Sequence, residues 1–399
     1  MTGTAPSALR EVCIVDAVRT PIGRFRGALA EVRADHLAAG LLNALAARNG
    51  LDPAEIDDVV FGCVTQVGEQ CGNIARTALL SAGWPDAIPG MTVDRKCGSS
   101  EAALHTAAAF IASGMADLVV AGGAESMSRV PMGGNRDVHG EPFGWMLNER
   151  FALSSQGEAA ERISDIWHIS RADHDDYAME SHRRAAAAAD AGHFANEIVP
   201  VDIAALAEKG AEPARTVLAE DETIRRDTNR AKLDTLKRVF RPDDGRVSAG
   251  NASQICDGAS VVLLASRAEA ERLGLRPRAR IVATSVVGSD PELMLTGPMR
   301  ATREILAKTG LALDDIDLFE VNEAFASVPI AWMKELGVPG DRLNVNGGAI
   351  ALGHPLGATG ARLMTTMLNE LERRGGRHAM QAICCAGGMG TATLIERLD

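Results

Sequence analysis

A chain of 399 residues is longer than one core normally serves, which implies two or three units, or one duplicated unit carrying an insert. Its 46% hydrophobic content, 40 glycines and 4% aromatic residues suit a globular α/β protein with many tight strand-to-helix turns and exclude a disordered chain. With 41 Lys and Arg against 53 Asp and Glu, the net charge of −12 excludes a general binder of nucleic acid or anionic membrane, so any anionic ligand needs a local basic patch.

The opening MTGTAPSALR has no apolar core of a secretion signal, and no later stretch offers about 18 uninterrupted apolar residues. A cytoplasmic protein follows. Seven cysteines (Cys13, Cys63, Cys71, Cys97, Cys256, Cys384 and Cys385) are odd in number and form no CxxC pair, which implies reduced thiols and no metal site.

Residues 12–18 read as a first strand, 35–49 as a helix closed by Gly50, 56–64 as a strand, 73–82 as a short helix, and 91–93 and 117–121 as further strands. This alternation predicts a mainly parallel sheet with helices on its faces. Cys97 sits where the 91–93 strand hands over to an Ala-rich helix. Unpaired N–H groups at a helix start favour a thiolate and lower a cysteine's pKa, and Arg95 and Lys96 add positive charge. A cysteine so placed also packs as a small hydrophobe, and the local sequence leaves both roles open.

From about 124 to 247 the alternation gives way to longer helices and irregular loops, the clearest helix being 170–193, with Ser170 and Asp173 as a capping box and Gly192 at its end. Between Arg225 and Arg246 eight basic residues stand against four acidic ones, either a phosphate-binding patch or a solvated face. Strands resume at 261–264 and 279–287. GLDPAEIDDVVF from Gly50 and GLALDDIDLFEV from Gly310 match at an offset of 260, and Ala121-Gly122-Gly123 recurs as Ala386-Gly387-Gly388. Together they predict a duplicated α/β unit: 1–123 with 248–275 as one half, 276–399 as the other, and 124–247 inserted. Under that duplication the Gly-rich turn at His354 is the counterpart of the Cys97 turn, and the two meet at the C-terminal ends of the strands.

A thiolate facing a histidine is the minimal equipment for covalent acyl chemistry. His354 stands apart from the other eight histidines because Gly353, Pro355 and Gly357 surround it, which suits close approach of backbone and substrate; the others read as structural or exposed. With RKCGSS at Cys97, GGAESMS from Gly122, AGNAS from Ala249, NEAFA from Asn322, NVNGGAIALGHPLGATG from Asn344 and CCAGGMG from Cys384, the chain resembles the thiolase family over residues 12–397. The resemblance implies duplicated α/β/α/β/α layers with an inserted loop domain that binds coenzyme A. It also implies Cys97 as the acylated nucleophile, His354 as its activating partner and Cys384 as the acid/base. Asn322 would hold a water that forms one oxyanion hole with His354, and the backbone N–H groups of Cys97 and Ala386 would form the other. Arg225 and Ser253 match coenzyme A-binding positions, and Cys385 is a packing residue.

Asp94 and Glu101 depart from the family's nucleophile motif, without touching the chemistry on this view, and Ala386 stands where Gly is common while keeping the backbone donor. Ser155-Gln156-Gly157 replaces the His-Met-Gly of short-chain relatives, which implies longer or bulkier substrates. The implied reaction is cleavage of 3-oxoacyl-CoA by coenzyme A to acetyl-CoA and a shortened acyl-CoA, with no permanently bound cofactor, in a homodimer or homotetramer. The alternatives are condensation of two acetyl-CoA molecules by a biosynthetic relative, and a non-catalytic acyl-CoA binder.

Overall fold

The computed structural model describes residues 9–136 and 139–398, so the sequence features of residues 1–8 lie outside it. In chain order the strands are β1 Val12–Arg19, β2 Gly23–Arg24, β3 Asp58–Gly62, β4 Gly90–Val93, β5 Leu118–Ser126, β6 Val201–Asp202, β7 Val217–Leu218, β8 Cys256–Ser266, β9 Ala279–Gly288, β10 Leu318–Val321, β11 His378–Cys385 and β12 Met389–Arg397. Ten build one sheet in the order β10-β11-β12-β9-β1-β8-β5-β3-β4, with β2 beside β8, while β6 and β7 form a separate ribbon.

The sheet is mixed rather than mainly parallel. Parallel pairing is confined to β3 with β4, β3 with β5, and β10 with β11. β8 runs antiparallel to both β1 and β5, and β9 runs antiparallel to β12. Strand-helix alternation holds only within each half. The last strand of each half enters the other way: β8 returns after the long segment that follows β5, and β12 follows β11 through the tight turn at 386–388, a connection that joins antiparallel neighbours.

Both faces of the sheet are covered. Along β8, Val261, Leu263 and Ala265 join the core beneath the helix Ala34–Asn49, while Val262 and Leu264 join the core around the helices Ser99–Ser113 and Thr359–Arg374. That is the two-residue period of a strand buried on both sides. The latter two helices lie in the middle, against each other and against strands of both halves. Residues 359–371 are buried throughout, including six polar or charged side chains that a surface helix would expose: Thr359, Arg362, Thr365, Thr366, Asn369 and Glu370. Gly297–Thr309 covers the outer face of the second half.

The two halves repeat in detail. Asp57 Oδ2 accepts from the N–H groups of Asp117 and Leu118 at the start of β5 (2.6 and 2.9 Å), and Asp317 Oδ2 accepts from those of Arg377 and His378 at the start of β11 (2.7 and 2.9 Å). The sequence match at offset 260 is thus a shared strand-starting device. The long segment between β5 and β8 carries the helix Arg171–Asp190, which begins on the capping box of Ser170 and Asp173 and stops before the expected end, with Gly192 left-handed at φ 72° just beyond. No helix among the described residues is long and apolar enough to cross a membrane.

Candidate active site

Cys97 lies in the turn between β4 and the helix Ser99–Ser113, one residue before its Gly98 cap. The preceding Lys96 is left-handed at φ 52°, which turns the chain sharply into the helix. A side chain at position 98 has no room: a Cβ there would sit 2.6 Å from Cys385 Sγ. Cys97 is 4% exposed. Burial pushes its thiol up to about 11, and the backbone N–H groups of Cys97 itself and of Ala386, both directed at the sulfur, pull only partly the other way. The sequence-based expectation of a lowered pKa therefore fails for the resting protein, because desolvation outweighs the helix start and Lys96.

His354 occupies the matching turn of the second half, before the helix Thr359–Arg374. Thr359 Oγ1 donates to Pro355 O (2.9 Å) and therefore accepts from His354 Nδ1–H (2.6 Å). That assigns the proton to Nδ1 and leaves the Nε2 lone pair for chemistry. Asn322 Nδ2 donates to Nε2 at 3.3 Å, and Asn322 Oδ1 is buried with no protein partner, as a water-holding amide requires. Burial, assisted by Arg362, pushes His354 down to about 3, so the imidazole is neutral at physiological pH.

The two turns are packed together at the C-terminal ends of β3 and β5. Ser100 Oγ accepts from Ala361 N (3.0 Å), and a Cβ on Gly123 would fall 2.0 Å from Gly357 O. Cys97 and Leu356 share one small apolar cluster with Val64, Met127 and Cys385. The hub is Glu125, at the end of β5, whose buried carboxylate accepts from the backbone N–H groups of Val64, Thr65 and Gly357 and from Gln70 Nε2, each at 2.9 Å. The sequence displayed Glu125 within GGAESMS but gave it no role. Thr359 was equally unmarked, although a hydroxyl five residues after a histidine, on the first turn of a helix, is a signal for a tautomer-fixing partner.

Cys384, the penultimate residue of β11, is fully buried. Burial pushes its thiol well up, and proximity of the Cys97 and Cys385 sulfurs adds to this. Cys385 lies on the other face of the strand, against Gly98 and Thr391. Glu323 braces the Asn322 turn by accepting from Tyr177, Ser181, Asn344 and Ile350 N. Arg225 is exposed; its guanidinium donates to Gln254 Oε1 (3.3 Å), which brings it beside Ser253. Gln254 O in turn accepts from His354 N (3.2 Å), so the basic segment, Ser253 and the histidine turn are physically connected. Among the described residues no three His, Cys, Asp or Glu side chains gather as a metal-ligand set.

The chemistry available is a buried thiol with two backbone donors, a neutral imidazole whose unprotonated Nε2 accepts only a long hydrogen bond from Asn322, and a second thiol nearby. Comparison with known proteins agrees in kind. The family models for the thiolase N-terminal and C-terminal domains match residues 12–268 and 275–397. Steroid 3-ketoacyl-CoA thiolase FadA6 of Mycobacterium tuberculosis is 47% identical, covering 100% of this chain and 97% of its own. A beta-ketoadipyl-CoA thiolase of Pseudomonas putida and a 3-ketoacyl-CoA thiolase of Yersinia pestis are each 46% identical over 98% of this chain and 100% of theirs. The crystal structure of the Bacillus anthracis acetyl-CoA acetyltransferase superposes with a TM-score of 0.88 at 40% identity, covering 98% of this chain and 100% of that one. The chain belongs to the thiolase family.

Proposed function

We propose that this thiolase works in the degradative direction, cleaving a 3-oxoacyl-CoA with coenzyme A to acetyl-CoA and an acyl-CoA two carbons shorter. The observation that carries it is the packing of the two turns at the strand ends, which sets the buried Cys97, with its own and the Ala386 backbone N–H groups acting on its thiol, on one turn and the tautomer-fixed His354 on the turn packed against it. His354 Nε2 takes the thiol proton as Cys97 Sγ attacks the 3-oxo carbon. The C2–C3 bond then breaks, leaving the acyl group on Cys97 and the electron pair on the acetyl-CoA enolate. The Cys97 and Ala386 N–H groups face the acyl oxygen; such a donor contributes about 2.7 to 4 kcal/mol.

His354, now carrying a proton on Nε2, and a water on Asn322 Oδ1 face the enolate oxygen. Cys384 protonates the enolate carbon and then, as thiolate, takes the proton of the incoming coenzyme A thiol, which attacks the acyl group; the C–S bond to Cys97 breaks, and the released sulfur takes back the proton held on His354 Nε2. Coenzyme A is a substrate held at Arg225, within the segment 124–247, and at Ser253, in the loop just before β8. No permanently bound cofactor is required, because the thioester acidifies its own α-carbon.

Ser155 caps the helix Gln156–Ile166, and Gly157 lies flat against Phe240, where a Cβ would come 2.0 Å from the ring. Ser155 presents a small side chain where short-chain relatives carry His, and the relatives' names span steroid 3-ketoacyl, beta-ketoadipyl and 3-ketoacyl chains, which supports an acyl group longer or bulkier than acetoacetyl. The working form is a cytoplasmic homodimer or homotetramer. A panel of C4, C8 and ring-bearing 3-oxoacyl-CoA substrates at fixed coenzyme A tests the reading: faster turnover of the larger substrates is expected, and strict preference for C4 would favour the biosynthetic alternative. No turnover of any substrate, and no acyl mass on the protein, would favour a non-catalytic binder.

A further inference from the structure

Glu101 lies four residues after Cys97 and, contrary to its bystander place in the sequence, is 0% exposed at the contact between the two halves. Its Oε2 accepts from Thr391 Oγ1 (2.5 Å) and its Oε1 from Thr393 Oγ1 (2.6 Å), both threonines buried on one face of β12. Thr391 follows Ala386 by five residues around the 386–388 turn, and its hydroxyl lies 3.0 Å from where a Cβ on Gly98 would stand. His105 Nε2, one helical turn beyond Glu101, reaches Thr393 Oγ1 at 2.8 Å and stands 3.9 Å from Glu101 Oε1.

These contacts close a ring. Cys97 is joined to Glu101 through the Gly98 cap and the first turn of the helix, Glu101 to Thr391 by a short hydrogen bond, Thr391 to Ala386 by the hairpin, and the Ala386 N–H acts back on the Cys97 thiol. The two backbone donors belong to opposite halves of the duplicated chain, and nothing in the peptide backbone alone fixes their separation. We propose that Glu101 is a positioning residue: its carboxylate clamps the nucleophile helix to β12 and so sets the spacing of the Cys97 and Ala386 N–H groups that receive the developing oxyanion. This rests on the site roles proposed above.

The prediction is a loss in kcat without a loss in coenzyme A binding, since misplacing one donor costs about 10²-fold or more while the basic segment is untouched. Glu101→Leu, verified as folded by circular dichroism and thermal melting, is expected to lower kcat on the order of 10²-fold with KM for coenzyme A within about twofold. Glu101→Gln, whose amide accepts from one hydroxyl and donates to the other, should recover kcat to within about fivefold of the parent. A folded Glu101→Leu with kcat within about threefold of the parent overturns the clamp, as does an equal loss in both variants.

If Glu101→Leu does not fold, Thr391→Val decides, with about tenfold lower kcat expected and parental kcat overturning the proposal. Cys97→Ala separates the two levels. Persisting turnover there sinks the site roles themselves, whereas Cys97-dependent turnover with a parent-like Glu101→Leu sinks only the clamp.

Discussion

The Cys97 turn and the His354 turn each enter one of the two central helices, the first from β4 and the second from the short helix Ala349–Leu352, yet they are held by opposite means. Cys97 is met by backbone donors, its own N–H and that of Ala386 from the other half, while His354 is met by side chains, Thr359 on Nδ1 and Asn322 on Nε2. Backbone donors cannot be lost to a rotamer change and suit a site where negative charge develops. Side-chain partners select one tautomer of a ring that must both accept and return a proton. On the proposed reading, the partners at each turn suit one to act as the nucleophile and the other as the base.

Substitutions at the two turns break this comparison most sharply at the nucleophile. Cys97→Ala removes the proposed acyl carrier, so turnover should fall on the order of 10⁴-fold or more, read from single-turnover release of acetyl-CoA. His354→Ala leaves the thiol without its proton acceptor, and about 10²- to 10⁴-fold lower kcat is expected, with the acylation burst slowed by the same factor.

Acid and alkali should also act on different halves. His354 is depressed from 6.5 to about 3, so its contribution to stability is complete above pH 6.5 and is lost as pH falls toward 3, roughly 2 kcal/mol of it by pH 5. Cys97 is raised from 9 to about 11, so its penalty begins only above pH 9, where the unfolded thiol ionises and the folded one resists. Urea unfolding of His354→Asn and Cys97→Ser should differ from the parent in pH slope only within those two windows; a common slope change would show the turns to be coupled.

Smaller effects sharpen the contrast. Thr359→Val frees the Nδ1 proton and lets the ring choose the other tautomer, with about tenfold lower kcat and unchanged KM expected from steady-state kinetics. Arg225→Ala should do the reverse, raising KM for coenzyme A a few-fold, roughly 1 kcal/mol, with kcat within about twofold.

Much of this molecule is readable from short-range pattern. The capping box at Ser170, the left-handed Gly50 after the first helix, the small-residue turn at Cys97 and the Gly-rich turn at His354 are all local, because caps, turns and helical periods are set by residues within four or five positions of one another. The repeated Asp57 and Asp317 are visible as a sequence match, although each acts at long range, starting a strand about 60 residues on by the same carboxylate contact.

What the chain alone determined, then, is the duplicated α/β plan, the two turns and the identity of the thiols and histidine placed on them. Tertiary structure decided the strand directions, since a strand's partner is chosen by long-range closure rather than by its own residues. It decided the ionisation of Cys97 as well, because the electrostatic gain of a helix start is local whereas the desolvation that overrides it comes from Val64, Met127 and Leu356, brought in from three separate loops. It also gave Glu101 its partners: Thr391 and Thr393 lie 290 and 292 residues away, beyond any pattern the helix could display.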